Sequence, residues 1–158
     1  FGGSQVINLG NLQTIGGDAY VTNSQITNLG NLQTIGGSAN FSDSKITNLG
    51  NLQTIGGDAN FYESQVCDLG ELRTIGKRAM FTKSRITSLK KLEIIGGDAH
   101  FSCCDITDLG NLQRIVGPVI LRTYGYENNF ELEKLYYEQF ENGVRKNIID
   151  EKSVSMAR

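Results

Sequence analysis

The chain has one proline, one histidine and three cysteines in 158 residues, and its 15 basic residues nearly offset its 17 acidic ones. A single histidine excludes any metal site built on two or more imidazoles. A formal charge of -2 with both signs interspersed supplies no field that would draw nucleic acid or an anionic membrane. No apolar run approaches the roughly 20 residues of a membrane-spanning helix, so membrane insertion is not expected. There is no signal-peptide pattern either. Cys67, Cys103 and Cys104 are odd in number, and neighbours such as Cys103 and Cys104 rarely pair, so no disulfide framework is expected. Three reduced thiols favour an intracellular location; a surface-exposed or secreted one stays open should a signal lie upstream. The chain lacks an initiator Met and opens partway through a repeat, which points to a fragment, or the ordered part, of something longer.

What the chain has in abundance is glycine, 19 residues, most of them at fixed phase: Gly16-Gly17, Gly36-Gly37, Gly56-Gly57 and Gly96-Gly97. They mark a tandem repeat. Leu9, Leu29, Leu49, Leu69, Leu89 and Leu109 recur every 20 residues, as do the columns that begin at Leu12 and Ile15. A fixed period of this size predicts a solenoid, in which each unit buries its apolar side only against its neighbours. Residues 1–15 form the tail of an incomplete coil. Five fuller units begin near Gly16, Gly36, Gly56, Gly76 and Gly96. Ala39 and Phe41 stand two residues apart, so both fall on one face of a short strand, and Ser38, Asn40 and Ser42 face outward. The wider Ile-Leu-Leu-Ile spacing predicts a turn-rich return path, with room for one turn of 3₁₀ helix or a second short strand.

The segment Gly36-x-x-Ala39-x-Phe41-x-x-Ser44-x-Ile46 is similar to the leucine-rich repeat pattern. Ser24, Ser44, Ser64 and Ser84 stand where that family usually has Asn, and Cys104 fills the same place with a residue the family also permits. The variant resembles the short coils of receptor L-domain-type and bacterial leucine-rich repeats, over about residues 3–122. The resemblance implies a β-rich, right-handed solenoid with one short parallel strand per repeat, little helix, and a concave outer strand face that commonly holds a ligand. It implies no particular ligand.

The domain organisation expected is a solenoid over 1–122, a capping or linker helix region over 123–147, and a tail over 148–158. Pro118 in the sixth coil, which cannot donate a ladder hydrogen bond, fits the end of a solenoid. Beyond Arg122 the composition changes: Phe130, Leu132, Leu135, Tyr136 and Phe140 fall within a helical stripe, predicting a helix over about 130–142. That helix serves either as a cap over the last coil or as a linker to another domain.

No catalytic set is present, and no cofactor or metal is expected. His100, Cys103 and Cys104 lie close in sequence, but each has a repeat position that explains it. Asp18, Asp58 and Asp98 recur at the leading edge of the strand, interrupted by Ser38 and Arg78, and read as a solvated edge. The Gly-Gly pairs lack the Gly-Lys-Ser/Thr of a phosphate loop. The Thr14, Thr34, Thr54, Thr74 column is one residue wide and breaks at Ile94 and Arg114, which weighs against an ice-ordering surface. The candidate site is the outward strand face: Tyr20, Asn40, Asn60, Tyr62, Arg78, Met80 and His100. These positions differ from unit to unit while the inward ones barely change, and they include residue types suited to protein contact. The expectation is a non-catalytic protein-binding or scaffolding module with a protein ligand; the oligomeric state is not set by the sequence. The alternatives are a recognition or spacer segment of a larger enzyme or toxin, and a structural rod or ice-binding surface.

Overall fold

The computed structural model describes residues 5–121 and, further on, Leu132, Lys134 and Tyr136. The repeat folds as a parallel β-solenoid of 20-residue coils, taken here as coil 1 (16–35), coil 2 (36–55), coil 3 (56–75), coil 4 (76–95) and coil 5 (96–115). Each repeat contributes two short strands where the family pattern implies one. The first sheet stacks β1 (Thr14–Ile15), β3 (Thr34–Ile35), β5 (Thr54–Ile55), β7 (Thr74–Ile75), β9 (Ile94–Ile95) and β11 (Arg114–Ile115). The second stacks β2 (Ala19–Tyr20), β4 (Ala39–Asn40), β6 (Ala59–Asn60), β8 (Ala79–Met80), β10 (Ala99–His100) and β12 (Val119–Ile120). All pairing is parallel and in register, Thr34 on Thr54 and Asn40 on Asn60.

The extra strand arises because the β-branched Thr-Ile pair, which becomes Ile94–Ile95 and Arg114–Ile115 in the last two members, is extended and lies beside its equivalent one coil away. Backbone bonds between coils continue past the strand ends: Gly36 N–H donates to the Ile15 carbonyl at 2.7 Å beside the first sheet, and Ala19 N–H to the Ser38 carbonyl at 2.8 Å beside the second.

Two tight turns complete each coil. At one, Leu32 N–H returns to the Leu29 carbonyl at 3.2 Å and the Asn28 side chain accepts the Gly30 N–H at 2.5 Å. Gly30 there has φ +61°, a left-handed conformation open to glycine at little cost. Lys90 takes the same place in coil 4 with φ 47°, the one non-glycine in that column among the described residues. At the other turn Ser44 N–H returns to the Phe41 carbonyl, with Asp43 left-handed at φ 49°.

The inward positions are those the period predicts. Ala39, Phe41, Ile46, Leu49, Leu52 and Ile55 are all buried, and the equivalents in coils 3 and 4 are too. Phe41, Phe61, Phe81 and Phe101 form a ladder of stacked rings with centroids 5.2 to 5.3 Å apart. Leu132, Lys134 and Tyr136 are helical, and Leu132 and Tyr136 belong to the same buried cluster as the coils. The remainder of the helix expected over 130–142, with Phe130, Leu135 and Phe140, and the tail over 148–158 lie outside the described residues.

Phe61 lies between two rings with no solvent exposure, so Phe61→Ala opens a cavity that the ladder on either side holds open. The loss expected is about 3–5 kcal/mol, read as a lowered urea midpoint; an unchanged midpoint overturns the inward placement. A second pair of variants tests the closeness of the coils. A Cβ on Gly56 would run into the Gly36 carbonyl oxygen, whereas one on Gly16 meets nothing within 4 Å. Gly56→Ala is expected to cost about 1–3 kcal/mol and Gly16→Ala to leave the midpoint close to that of the parent in the same titration.

Candidate functional site

The second sheet carries the outward face. Its register places Tyr20, Asn40, Asn60, Met80 and His100 in one column, each directly beside the next. The leading edge of the face is the column Asp18, Ser38, Asp58, Arg78, Asp98. The trailing edge is Thr22, Ser42, Tyr62, Thr82, Ser102. Adjacent members are about 4.8 Å apart along the axis, the spacing of neighbouring strands. All seven candidate residues therefore lie on one surface.

They are not equivalent. Tyr20 is the most open at 54% exposed, and its hydroxyl donates to Asp18 Oδ2 at 3.2 Å. The negative charge of Asp18, and then that hydrogen bond, push the Tyr20 phenol above its ordinary pKa. Asn40 and Asn60 spend their side-chain oxygens on their own turns. Asn40 Oδ1 accepts the Ser42 N–H at 3.0 Å and the Ser42 hydroxyl at 2.8 Å; Asn60 Oδ1 accepts the Tyr62 N–H at 2.9 Å. Their main work is to hold the strand end. Met80 and His100 are half-buried, and Arg78 is exposed with Nε 3.8 Å from Asp98 Oδ2.

Tyr62 has a partner that the repeat pattern does not flag. Lys83 Nζ stands 5.5 Å from the centre of its ring, donates to its hydroxyl at 3.4 Å, and pairs with Glu63 at 2.7 Å. The Lys83 hydrogen bond, with one from Tyr62, holds the Glu63 carboxyl below its usual range. The detectable signal was opposite charge at positions 63 and 83, one period apart.

Two expectations about this face need correction. Ser42, placed outward by the period of two, is buried, as is its equivalent Ser102, because the strand ends at Asn40 and at His100 and the chain turns inward there. The aspartates at the leading edge are not merely solvated. Asp18 Oδ1 accepts the Ser38 N–H of the next coil at 2.7 Å, Ser38 Oγ accepts the Asp58 N–H at 3.1 Å, and Asp58 Oδ1 accepts the Arg78 N–H at 3.0 Å. Each caps a backbone donor one coil along. After Asp98 the column reaches Pro118, which has no N–H to be met.

His100, Cys103 and Cys104 do not converge on a centre. Among the described residues no three His, Cys, Asp or Glu side chains lie close enough to hold a metal ion, and no helix is long and apolar enough to cross a membrane. Cys104 continues the buried column of Ser24, Ser44, Ser64 and Ser84, and desolvation pushes its thiol up to about 12. Cys67 is exposed and Cys103 partly so. Compared with known protein families, with curated proteins and with solved structures, the chain matches none.

A neutral thiol is a poor nucleophile. In the folded protein at pH 8, a thiol-specific reagent is expected to label Cys67 and leave Cys104 unmodified until denaturant is added. Peptide mapping by mass spectrometry reads both, and labelling of Cys104 as fast as Cys67 contradicts the buried turn.

Proposed function

We propose that this chain is a non-catalytic recognition module: a solenoid of the leucine-rich-repeat kind that binds a protein through the outer face of its second sheet. The carrying observation is the contrast along one register. The inward members beside the column are Ala in every coil and Val21, Phe41, Phe61, Phe81 and Phe101, while its outward members run Tyr20, Asn40, Asn60, Met80, His100. A solvated face with no task needs no such assortment of aromatic, thioether and imidazole groups, which are residue types favoured at protein contacts. The buried Ser-to-Cys104 column, at the Asn position of the leucine-rich pattern, supports the family reading.

Within the face, Tyr20, Tyr62, Arg78, Met80 and His100 would make the contacts, with Asn40 and Asn60 supporting the turns between them. Lys83 holds the Tyr62 ring in place before any partner arrives, which lowers the conformational entropy lost on binding.

The test compares three forms of the protein as immobilised baits. One is the parent; one carries Tyr20→Ala, Tyr62→Ala, Arg78→Ala and His100→Ala; the third carries Gln33→Ala, Thr34→Ala and Thr54→Ala on the first sheet. A partner retained by the parent and the third form, and weakened about tenfold or more in the second, supports the reading. A partner bound equally by all three places recognition elsewhere.

A further inference from the structure

The described residues hold five side-chain ion pairs, and every one of them involves coil 4. Four join it to coil 3: Lys83 to Glu63 at 2.7 Å, Lys91 to Glu71 at 2.6 Å, Lys90 to Asp68 at 2.8 Å, and Glu93 to Arg73 at 2.6 Å. The fifth, Arg78 to Asp98 at 3.8 Å, joins it to coil 5. The compositions match this pattern. Coil 4 carries six basic residues against one acidic, coil 3 four acidic against one basic, and coil 5 three acidic against one basic, His100 counted neutral. Coil 1 has Asp18 as its sole charge and coil 2 has only Asp43 and Lys45.

We propose that this acidic-basic-acidic order is a neighbour code, which assigns coil 4 its place in a stack whose apolar pattern cannot do so. Coils 2 and 3 offer almost the same buried face, with Phe41 and Phe61, Leu52 and Leu72, and Ile55 and Ile75 at equivalent positions. Burial alone is therefore indifferent to which of the two coil 4 rests on. The charges are not. Set on coil 2, Lys83 would still meet an acid, Asp43, but Lys90, Lys91 and Glu93 would lie over Asn48, Asn51 and Gln53. A second basic coil in place of coil 3 would set lysine over lysine at about 4.8 Å.

All five pairs are exposed, so each alone contributes little and is screened by salt. Their concentration on one seam is what lets them discriminate. The Lys90 hydrogen bond also holds the Asp68 carboxyl below its usual range, as a formed pair requires. Three of the four lysines of coil 4, Lys83, Lys90 and Lys91, are matched by acids of coil 3.

The test is a full-length chain in which segments 36–55 and 56–75 exchange places. Length, composition and apolar columns are unchanged; the exchange also sets Asp18 beside Asp58 and Lys45 beside Arg85, so every form, the parent included, carries Asp18→Asn and Lys45→Gln, and the difference that remains is the neighbour of coil 4. Urea midpoints, measured from about 0.01 M to about 1 M salt, span screening lengths from about 30 Å to about 3 Å. The parent midpoint is expected to fall as salt rises. The exchanged chain should start lower and lose most of that salt dependence. Adding Asn48→Asp, Asn51→Glu and Gln53→Arg to the exchanged chain, with Asp68→Asn, Glu71→Asn and Arg73→Gln so that no like charges stack between the two exchanged segments, rebuilds the acidic neighbour and should restore both the midpoint and the slope. An exchanged chain that matches the parent in both overturns the proposal. So does one that is destabilised or unfolded and is not restored by the six substitutions, since its defect then lies outside the charges.

Discussion

Every residue in this solenoid lies beside its own equivalent twenty positions away, and the fold depends on each side chain tolerating that neighbour. In-register parallel pairing leaves no way to offset a misfit. Glycine at position 56 is required because the backbone of Gly36 occupies the space a Cβ would need. Phenylalanine at 61 is favoured because a flat ring stacks on rings above and below, nearly parallel at interplanar angles of 5° and 7°. The same constraint turns polar residues into connectors: Asn31 donates through its amide to Asn11 at 3.1 Å, and the Asp18 carboxylate meets the backbone of the next coil.

Charge responds to the constraint differently. An apolar or amide side chain can stack on an identical one, but a lysine cannot. Once the repeat admits charge at a position, the next coil reverses it or stays neutral at every column but one, where Glu63 follows Asp43 and is itself met by Lys83. Positions 63 and 83, 71 and 91, and 73 and 93 all reverse. The monotony of coils 1 and 2 and the variety of coils 3 to 5 are thus two solutions to one packing problem. A neutral coil can follow any other, whereas a charged coil narrows the choice of neighbour.

The inward half of the structure was legible in the sequence because burial follows periodicity, and periodicity survives substitution. Ala39, Phe41, Ile46 and Leu49 are inside for the reason their spacing gives. The second strand was less legible, since Thr34–Ile35 is only two residues long and a turn-rich path has the same apolar spacing. The roles of Asn40, Asn60 and Asp18 were not legible at all. Period two says which face a side chain leaves from. It does not say whether its oxygen then reaches solvent or folds back onto a backbone N–H, a choice made by the turn that follows. The buried Ser42 and Ser102 show the same limit: alternation holds only while the strand lasts.

What remains of the candidate face is narrower and better defined than the seven residues taken together. With two asparagines committed to the backbone, the groups that differ from coil to coil stand at the two ends of a short path: Tyr20 in coil 1, and Tyr62, Arg78, Met80 and His100 from coil 3 onward. The smoother stretch between them is coil 2, the least charged part of the sheet after coil 1. A ligand reading this face would therefore lie along the solenoid axis and not across it, since the groups that distinguish one coil from the next are spread along the axis. The rigidity of the ladder makes such a surface inexpensive to use, because its side chains are already spaced by the backbone rungs that hold the coils together.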